Sequence, residues 1–559
     1  MRLPQVVFFQ NKTAFLLLNR LGFVKPIHSI MNIYQIPFSD LPMLAKTDKA
    51  YAEQALDLKP FFKYPVDIQQ FTQIIKDKSK EDINRPALVQ ALRKQYQHLQ
   101  NPQAGAENIE KLLYNNTFTI TTAHQPALLT GPLYFVYKIF STIRLAEMLK
   151  EAHPTCDFVP IFVIGGEDHD FEEVNFAKIF NKKLVWNTAE KGSVGMMKTE
   201  RLKEILDELK EILGKSVHAQ AIFKIIEDSY TQFDIYQDAT QNLLNELFGK
   251  YGLLVLNMND VDLKRLFIPI MRRELIEQPS KHLVENTQTQ LEKAGFKAQA
   301  FARPINLFYL RDQLRERIIE VNGVYSALNT DFTWTKERIL AELEAHPERF
   351  SPNVILRPLY QEVILPNLAY IGGGGELAYW LERKAQFKHF DLNFPMLIRR
   401  NSVLWLDKYG QERLEKLNLQ LVDLAGDIDV FIKKYVTQST DDLISLQSEK
   451  EQLSALFTAL AEKAKGIDPT LEKTVLAEQA KQLHALGGIE AKFLKAEKQK
   501  QEVSIQQIRT LAQKYFPNGG LQERTDNFLP FYVKHGTAFF DALYENLNPF
   551  VQGMMVIQE

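Results

Sequence analysis

Residues 117–126 read TFTITTAHQP, and this stretch decides the fold class of the chain. β-Branched residues and phenylalanine alternate with polar residues up to Pro126, which is the pattern of a strand. Residues 127–152 follow, with Pro132 suited to a first helical turn and apolar residues at helical spacing after it. Residues 158–166, FVPIFVIGG, form a continuous apolar run that is typical of a fully buried strand. Strand, helix and strand in succession predict a βαβ unit, and therefore a parallel sheet with a right-handed crossover.

Further strand and helix patterns extend this unit along the chain. Residues 251–260 (YGLLVLNMND) run into a helical pattern, and residues 303–310 (RPINLFYL) and 316–323 (ERIIEVNG) predict paired strands. Residues 351–387 return to strand, glycine-rich loop and helix. The predicted fold class is therefore α/β, with a parallel-sheet core and helical insertions.

The predicted organisation has four parts. They are an upstream extension at 1–30, an α/β core at 31–406 with insertions at about 185–250 and 265–300, a helical arm at 407–515, and a last segment at 516–559. Residues 1–30 carry basic residues and no acid, which suits either a targeting segment or an extension upstream of a start at Met31. The aromatic-rich last segment is expected to pack back onto the core.

Leucines recur every seven residues in the arm and form an apolar stripe, the seam of a coiled coil. A lysine, Lys450, interrupts this seam. The leucines are Leu446, Leu453 and Leu460. Two antiparallel helices satisfy this heptad pattern, and so does one helix paired with a second subunit. Because apolar residues on a solitary helix pair would face water, the sequence predicts a homodimer through residues 440–515, and the alternative is that the helices fold back on their own core.

Composition excludes several classes of protein. Lys and Arg number 67 against 69 Asp and Glu, so the net charge of −2 gives no overall attraction to nucleic acid or to an anionic membrane. With 45% hydrophobic and 24% charged residues, the chain has the composition of a globular protein. A single cysteine, Cys156, excludes an intrachain disulfide and fits a reducing cytoplasm, and no apolar run is long enough to span a bilayer.

The first candidate site follows the strand at 117–126, where it gives way to a helix. Free N–H groups and the helix dipole bind phosphate at such a position. The alternative is a polar turn in which His124 bonds to a backbone carbonyl. The predicted nucleotide-binding residues are His124, Gln125, Thr130, Gly131, Tyr134 and Lys138.

The second candidate is the stretch GGEDHDFEE at 165–173, where five acids and a histidine follow a buried strand. This cluster can bind a substrate ammonium, hold Mg²⁺ or supply a general base. The alternative, carboxylates favoured by a helix dipole, suits Glu172 and Glu173 better. His169 is the predicted general base, since imidazole accepts a proton near neutral pH. The predicted catalytic residues are Glu167, Asp168, His169 and Asp170, and no metal ligand is assigned.

The third candidate is the run of four glycines at 372–375, followed by Glu376. Glycine lets the backbone approach a ligand closely, and the alternative is a plain flexible connector. Two polar residues on the preceding segment are expected to face the same cleft. The predicted substrate-binding residues are Arg357, Gln361, Gly373, Gly374, Gly375 and Glu376.

Four segments together resemble the cysteine-adding enzymes of bacillithiol biosynthesis, the cysteine ligase family. They are TTAHQPALLTGPLYFVYK (121–138), GGEDHDFEEV (165–174), ILPNLAYIGGGGELAYW (364–380) and FPNGGLQERTDNFLPFY (516–532). The resemblance implies a Rossmann-like core of nucleotidyltransferase type and a coiled-coil arm. HQP…TGP then takes the place of the HIGH element of class I aminoacyl-tRNA synthetases, although this chain has one histidine there and no clear KMSKS-like loop. Residues 399–402 (RRNS), which include Arg400, are a faint substitute for that loop.

The resemblance also implies a function. It is an ATP-dependent ligase that joins the carboxyl group of cysteine to the amine of glucosaminyl malate, with ATP as the nucleotide. Because the carboxylates of Asp168 and Asp170 would repel the phosphates of ATP, either Mg²⁺ or a substrate ammonium is expected between them. The competing hypothesis is a nucleotide-binding regulatory or scaffold protein that acts through its coiled coil. Small molecules and a second copy of the chain are the expected partners, and nucleic acid and membranes are not.

Overall fold

A computed structural model describes residues 32–439 and 445–559, so the predicted extension at 1–30 lies outside the described residues. The strands are β1 (Asn32–Ile36), β2 (Thr117–His124), β3 (Asp157–Ile164), β4 (Phe176–Ile179), β5 (Lys182–Val185), β6 (Leu254–Asn257), β7 (Leu307–Arg311), β8 (Leu314–Val321), β9 (Val324–Ala327), β10 (Thr333–Trp334), β11 (Phe350–Pro352), β12 (Asn367–Gly372), β13 (Met396–Arg399), β14 (Ser402–Leu406) and β15 (Met554–Gln558).

The α-helices are α1 (Lys46–Ala52), α2 (Phe71–Lys78), α3 (Arg85–Tyr96), α4 (Gln103–Lys111), α5 (Tyr134–Ala152), α6 (Phe171–Val174), α7 (Lys203–Leu213), α8 (Val217–Gln232), α9 (Tyr236–Phe248), α10 (Val261–Glu277), α11 (Pro279–Lys293), α12 (Lys336–Ala345), α13 (Arg357–Ile364), α14 (Gly374–Leu381), α15 (Lys384–His389), α16 (Lys408–Leu417), α17 (Ile428–Ser439), α18 (Gln447–Ile467), α19 (Pro469–Lys500), α20 (Glu502–Tyr515), α21 (Leu529–His535) and α22 (Ala538–Asn546).

A parallel sheet in the order β13-β12-β2-β3-β6 forms the Rossmann-like core, and the predicted βαβ unit is confirmed as β2, α5 and β3. The chain runs outward from β2 through β3 to β6 and then returns to the other side of β2 with β12 and β13. The strand order therefore reverses between β2 and β12. Open α/β sheets bind ligands at such a reversal, beyond the C-terminal ends of the strands.

β3 is buried on both faces, as its continuous apolar sequence predicts. Val159, Ile161 and Val163 pack into the core on one side of the sheet. Phe162 and Ile164 pack into the core on the other side, together with residues of α5. Layers of helices on both faces explain why no polar alternation is present in this strand.

Two insertions interrupt the parallel sheet. The first, between β3 and β6, holds α6 to α9 and the β4–β5 hairpin. The second, between β6 and β12, holds α10 to α13 and an antiparallel sheet in the order β10-β9-β8-β7-β11, which we call the second sheet. The predicted pairing of β7 with β8 is confirmed, and Phe308 lies opposite Arg317 in their register.

The aromatic residues of the last segment pack against the core helices. The ring of Phe540 lies 5.6 Å from Phe140 of α5 and 5.4 Å from Phe248 of α9. β15 pairs with both β1 and β14 in a separate three-stranded sheet. The last segment therefore reaches the neighbourhood of α5 from the far end of the sequence.

α18 and α19 form an antiparallel hairpin, which is the first of the two arrangements that the heptad pattern allows. Lys450 Nζ lies 2.6 Å from Glu490 Oε2, and Gln479 donates to Ser454 Oγ over 2.9 Å. The lysine that interrupts the seam is thus satisfied by an ion pair across the hairpin. Among the helices that the structure describes, none is both long and apolar enough to cross a bilayer.

Candidate functional site

A cleft of about 870 Å³ opens where the strand order reverses, and all three predicted motifs contribute to its walls. The predicted residues that line it are His124, Gln125, Tyr134, Asp168, His169, Asp170, Arg357, Gln361, Gly373, Gly375 and Glu376. The cleft gathers residues that follow β2, β3 and β12, because the C-terminal ends of parallel strands meet at one edge of a sheet. The other predicted site residues lie outside the cleft walls; they are Thr130, Gly131, Lys138, Glu167 and Gly374.

Asp168 is held by groups from three separate elements. Its Oδ2 accepts a hydrogen bond from Gln125 Nε2 over 3.0 Å and lies 3.7 Å from Arg357 Nη2. Its Oδ1 lies 3.5 Å from Nη1 of Arg315, which β8 supplies. Burial raises the pKa of Asp168, but the charges of Arg357 and Arg315 outweigh it and leave the pKa below its ordinary value. Asp168 is therefore an ionised group that positions two arginines.

His169 lies at the mouth of the cleft between Arg315 and Asp170. Arg315 Nη1 donates to Nδ1 of the imidazole, and Nε2 lies 3.9 Å from Asp170 Oδ1. A nitrogen that accepts a hydrogen bond carries no proton, so this contact leaves the ring hydrogen on Nε2. The ligand atoms of Asp168, His169 and Asp170 lie within 4.8 Å of one another, the spacing of a cation site. Arg315 competes for two of those three ligands.

Glu167 has a different position from the one predicted. Its side chain is buried behind the cleft, where Oε1 lies 2.6 Å from Lys264 Nζ. The same ammonium group donates to the carbonyl oxygen of Phe350 in β11 over 2.7 Å. Glu167 therefore connects the loop after β3 to the second sheet. A buried carboxylate that is paired in this way already has its counter-charge, so the structure gives Glu167 a supporting position behind the cleft.

His124 and Tyr134 form a hydrogen-bonded pair on the opposite wall. Nδ1 of His124 donates to the carbonyl oxygen of Gln125 over 2.9 Å, so Nε2 accepts from the Tyr134 hydroxyl, also over 2.9 Å. Burial and, after it, the charge of Lys138 lower the pKa of His124 to about 4. This contact is the one that the alternative prediction gave, a histidine bonded to a backbone carbonyl. The imidazole also lines the cleft.

Thr130 and Gly131 do not meet the cleft, so the structure does not support phosphate binding there. The side chain of Asn527 donates to the carbonyl oxygens of Leu129 and Gly131 over 2.8 and 2.6 Å. The N–H of Leu133, just before α5, donates to the carbonyl oxygen of Asp526 over 2.7 Å. The last segment of the chain thus caps this turn with its own backbone and amide groups.

Lys138 and Gly374 contact other parts of the protein outside the cleft walls. Lys138 is fully buried and donates to Glu376 Oε1 over 2.8 Å. Glu376 in turn accepts from the N–H of Gly373 over 2.8 Å, which holds the glycine-rich loop in place. A Cβ on Gly374 would lie 2.0 Å from Cγ of Asp48, so this glycine allows α1 to pack closely.

Sequence reasoning missed most of the arginines in the cleft. Besides the predicted Arg357, the cleft is lined by Arg303, Arg315, Arg317, Arg400 and Arg524, and the sequence singled out only Arg400 among these, in a faint substitute for a KMSKS-like loop. Arg317 lies in the predicted strand 316–323, and Arg315 lies just before it. Because the two residues are two positions apart, a strand places them on one face of the sheet. The signal was present in the sequence, but nothing local showed that this face meets the cleft.

Comparison with known proteins gives consistent matches along the chain. A model described as "Bacillithiol biosynthesis BshC, N-terminal Rossmann-like domain" matches residues 31–401, and one described as "Bacillithiol biosynthesis BshC, C-terminal coiled-coil domain" matches residues 403–559. A relative from Flavobacterium johnsoniae named "Putative cysteine ligase BshC" is 42% identical over 92% of this chain and 97% of its own. A relative of the same name from Christiangramia forsetii is 41% identical over 91% of this chain and 95% of its own. Another from Cytophaga hutchinsonii is 35% identical over 93% of this chain and 98% of its own.

Proposed function

The chain belongs to the BshC family of bacillithiol biosynthesis, and we propose that it is a ligase that adds L-cysteine to the amino group of glucosaminyl malate. The observation that carries this proposal is the convergence of the three sequence motifs on one cleft at the reversal point of a Rossmann-like sheet. The relatives named as cysteine ligases support the same chemistry. We also propose that the protein acts in the cytoplasm.

We propose ATP as the source of activation. A carboxylate and an amine do not condense in water unaided, so an acyl phosphate or an acyl adenylate forms first. Arginine forks stabilise the charge of phosphate groups, and Arg400 and Arg524 are among the arginines that line the cleft. The nucleotidyltransferase type of the core is part of this proposal.

Mg²⁺ accompanies ATP in this proposal, and Asp170 is the best-placed carboxylate to hold it. Oxygen ligands suit this ion, and Asp170 makes no ion pair with a lysine or arginine among the described residues. Asp168 is less suitable, because Arg315 and Arg357 already neutralise its charge.

His169 remains the proposed general base. The attacking amine arrives as an ammonium group and must lose a proton before it forms the amide bond. Nδ1 of His169 is the ring nitrogen that carries the lone pair, and in the structure this lone pair accepts a hydrogen bond from Arg315. In the proposed step, Arg315 turns toward the activated carboxylate, and Nδ1 accepts the proton of the ammonium.

The test is incubation of the purified protein with ATP, cysteine and glucosaminyl malate, followed by identification of products by mass. We expect the cysteinyl amide together with ADP or AMP, and the nucleotide product distinguishes an acyl phosphate from an adenylate. His169→Ala should remove most of the product, whereas His484→Ala, on the exposed arm, should not. Failure of the unaltered protein to form an amide in the presence of all three substrates would favour the regulatory or scaffold alternative.

We also propose that the protein is a homodimer through α18 and α19. Among the described residues of this hairpin only Ala461 is buried, and large apolar side chains remain exposed along both helices. Such a surface is costly in water, and a second copy with the same surface can cover it.

A further inference from the structure

The second insertion contributes two arginines to the cleft that the protein itself does not neutralise: Arg303 lies in the loop before β7, and Arg317 lies in β8. Arg303 and Arg317 both line the cleft. In the described part of the chain, no carboxylate lies within 4.0 Å of either guanidinium group. Arginines that border a cavity without an internal partner are available for an anionic ligand.

The register of β7 and β8 places Arg317 beside the catalytic cluster. Phe308 lies opposite Arg317, so both side chains are on the same face of the second sheet as Arg315. Arg315 lies over the ring of Phe308 at 3.8 Å and is engaged by Asp168. Arg317 is two residues further along the strand, about 6.8 Å away. Arg315 is thus paired with Asp168 inside the protein, whereas Arg317 can bind an anionic ligand.

The backbone of Arg303 is fixed by two hydrogen bonds to Asn306, and its guanidinium group makes no ion pair among the described residues. Its N–H donates to Asn306 Oδ1 over 3.0 Å, and its carbonyl oxygen accepts from Asn306 Nδ2 over 2.7 Å. The guanidinium group lies 4.0 Å from the ring centre of Phe301, an exposed side chain at the rim of the cleft. Such support reduces the entropy that the side chain loses on binding a ligand.

We propose that Arg303 and Arg317 form a subsite for a small dicarboxylate group, with one carboxylate bound by each arginine. This inference rests on the proposed function, in which the acceptor carries a malyl group whose two carboxylates do not react. Two arginines without an internal partner match the two negative charges of such a group. Arginine binds carboxylates through a planar fork, and the neighbouring acids Asp168 and Asp170 would repel the same group if it moved toward them.

The first experiment measures binding of L-malate to the full chain by calorimetry, in the absence of ATP and cysteine. We expect Arg317→Met and Arg303→Met each to raise the Kd at least tenfold. Arg317→Lys should restore only part of the affinity, because an ammonium group keeps the charge but not the fork. Arg338→Met is the matched control: this exposed arginine of α12 lies in the same insertion but outside the cleft, and its loss should leave the Kd unchanged.

The second experiment measures steady-state kinetics with the acceptor as the varied substrate. We expect both variants to raise KM for the acceptor at least tenfold with little change in kcat, because the arginines contact a part of the substrate that does not react. Unchanged affinity for L-malate in the variants, or no binding of L-malate to the unaltered protein, would overturn the subsite. A loss of affinity for ATP in place of L-malate would also overturn it, since the arginines would then bind phosphate. Arginine-dependent binding of L-malate by a protein that makes no amide would refute the ligase and leave the subsite standing.

Discussion

Gln125 donates a hydrogen bond from Nε2 to Oδ2 of Asp168 over 3.0 Å, and this contact joins the first motif of the sequence to the second. The two residues follow β2 and β3, which are neighbours in the parallel sheet. The same carboxylate lies near Arg357 of α13 and Arg315 of β8. Asp168 therefore connects the parallel sheet to the second sheet, and its charge sets the positions of both arginines.

Asp168→Asn should reduce activity about tenfold to a hundredfold while the fold remains. Hydrogen bonds and ion contacts to a charged group contribute about 1.5–3 kcal/mol, and the amide keeps the shape but loses the charge that holds Arg315 and Arg357. The measurement is kcat/KM for amide formation, with the melting temperature as a check of folding. Asp312→Asn, on the exposed turn between β7 and β8, is the control. Equal activity in the two variants would show that Asp168 does not position the arginines.

The stability of the protein should decrease in mild acid because of His124. Burial and the charge of Lys138 lower the pKa of this residue from 6.5 to about 4. Below pH 6.5 the unfolded chain binds a proton on His124, and the folded protein does not until the pH nears 4. The titration of His124 therefore leaves the free energy of unfolding unchanged well above pH 6.5 and lowers it between these limits, by about 1–2 kcal/mol near pH 5.

Urea unfolding near pH 7.5 and pH 5 measures this effect. His124→Gln removes the titrating group, so the variant should lose less stability between the two pH values than the unaltered protein does. His484→Gln changes an exposed histidine of α19 and should leave the difference as it was. An identical pH dependence in all three proteins would refute the assignment to His124.

Gly195→Ala should disturb the loop that carries Asp168. The N–H of Gly195 donates to the carbonyl oxygen of Gly166 over 2.8 Å, and a Cβ on Gly195 would lie 2.8 Å from that oxygen and from the Cα of Gly166. Backbone atoms cannot move aside as a flexible side chain can, so we expect a loss of about 1–3 kcal/mol of stability together with a loss of activity. Gly488→Ala in α19, whose Cβ would meet no atom within 4 Å, should be neutral or slightly stabilising. A fully active and stable Gly195→Ala protein would contradict the close packing of the two loops.

Charges on the exposed apolar surface of the arm should separate the proposed dimer. Leu456 of α18 and Phe493 of α19 are 57% and 44% exposed, and both belong to the surface that a second copy would cover. Leu456→Glu combined with Phe493→Glu should give a monomer by light scattering at micromolar concentration, with the cleft intact. Gln482→Glu, an exposed polar position of the same hairpin, should remain dimeric. A monomeric mass for the unaltered protein would rule out the homodimer.

The sequence alone determined the elements of the core. The strand β2, the helix α5 and the strand β3 follow from alternation, helical spacing and a continuous apolar run, because each pattern reports which faces of a local element are buried. The same reasoning placed β7 opposite β8, and it allowed the two antiparallel helices of the arm as one of two arrangements. It also brought His124, Asp168 and Glu376 to one cleft, since residues that follow parallel strands meet at one edge of the sheet.

Only the tertiary structure decided what each polar residue contacts. Arg315 reaches His169 across 146 positions of sequence, Lys138 pairs with Glu376 across 238, and Asn527 caps the turn at Gly131 across 396. Such contacts hold four of the predicted residues behind the cleft walls, namely Thr130, Gly131, Lys138 and Glu167. Asp170, Arg303 and Arg317 line the cleft, where we propose that they bind ligands. The reason is physical: backbone periodicity is local and repeats within a few residues, whereas the partner of a buried charge is whichever group the folded chain brings within a few ångströms.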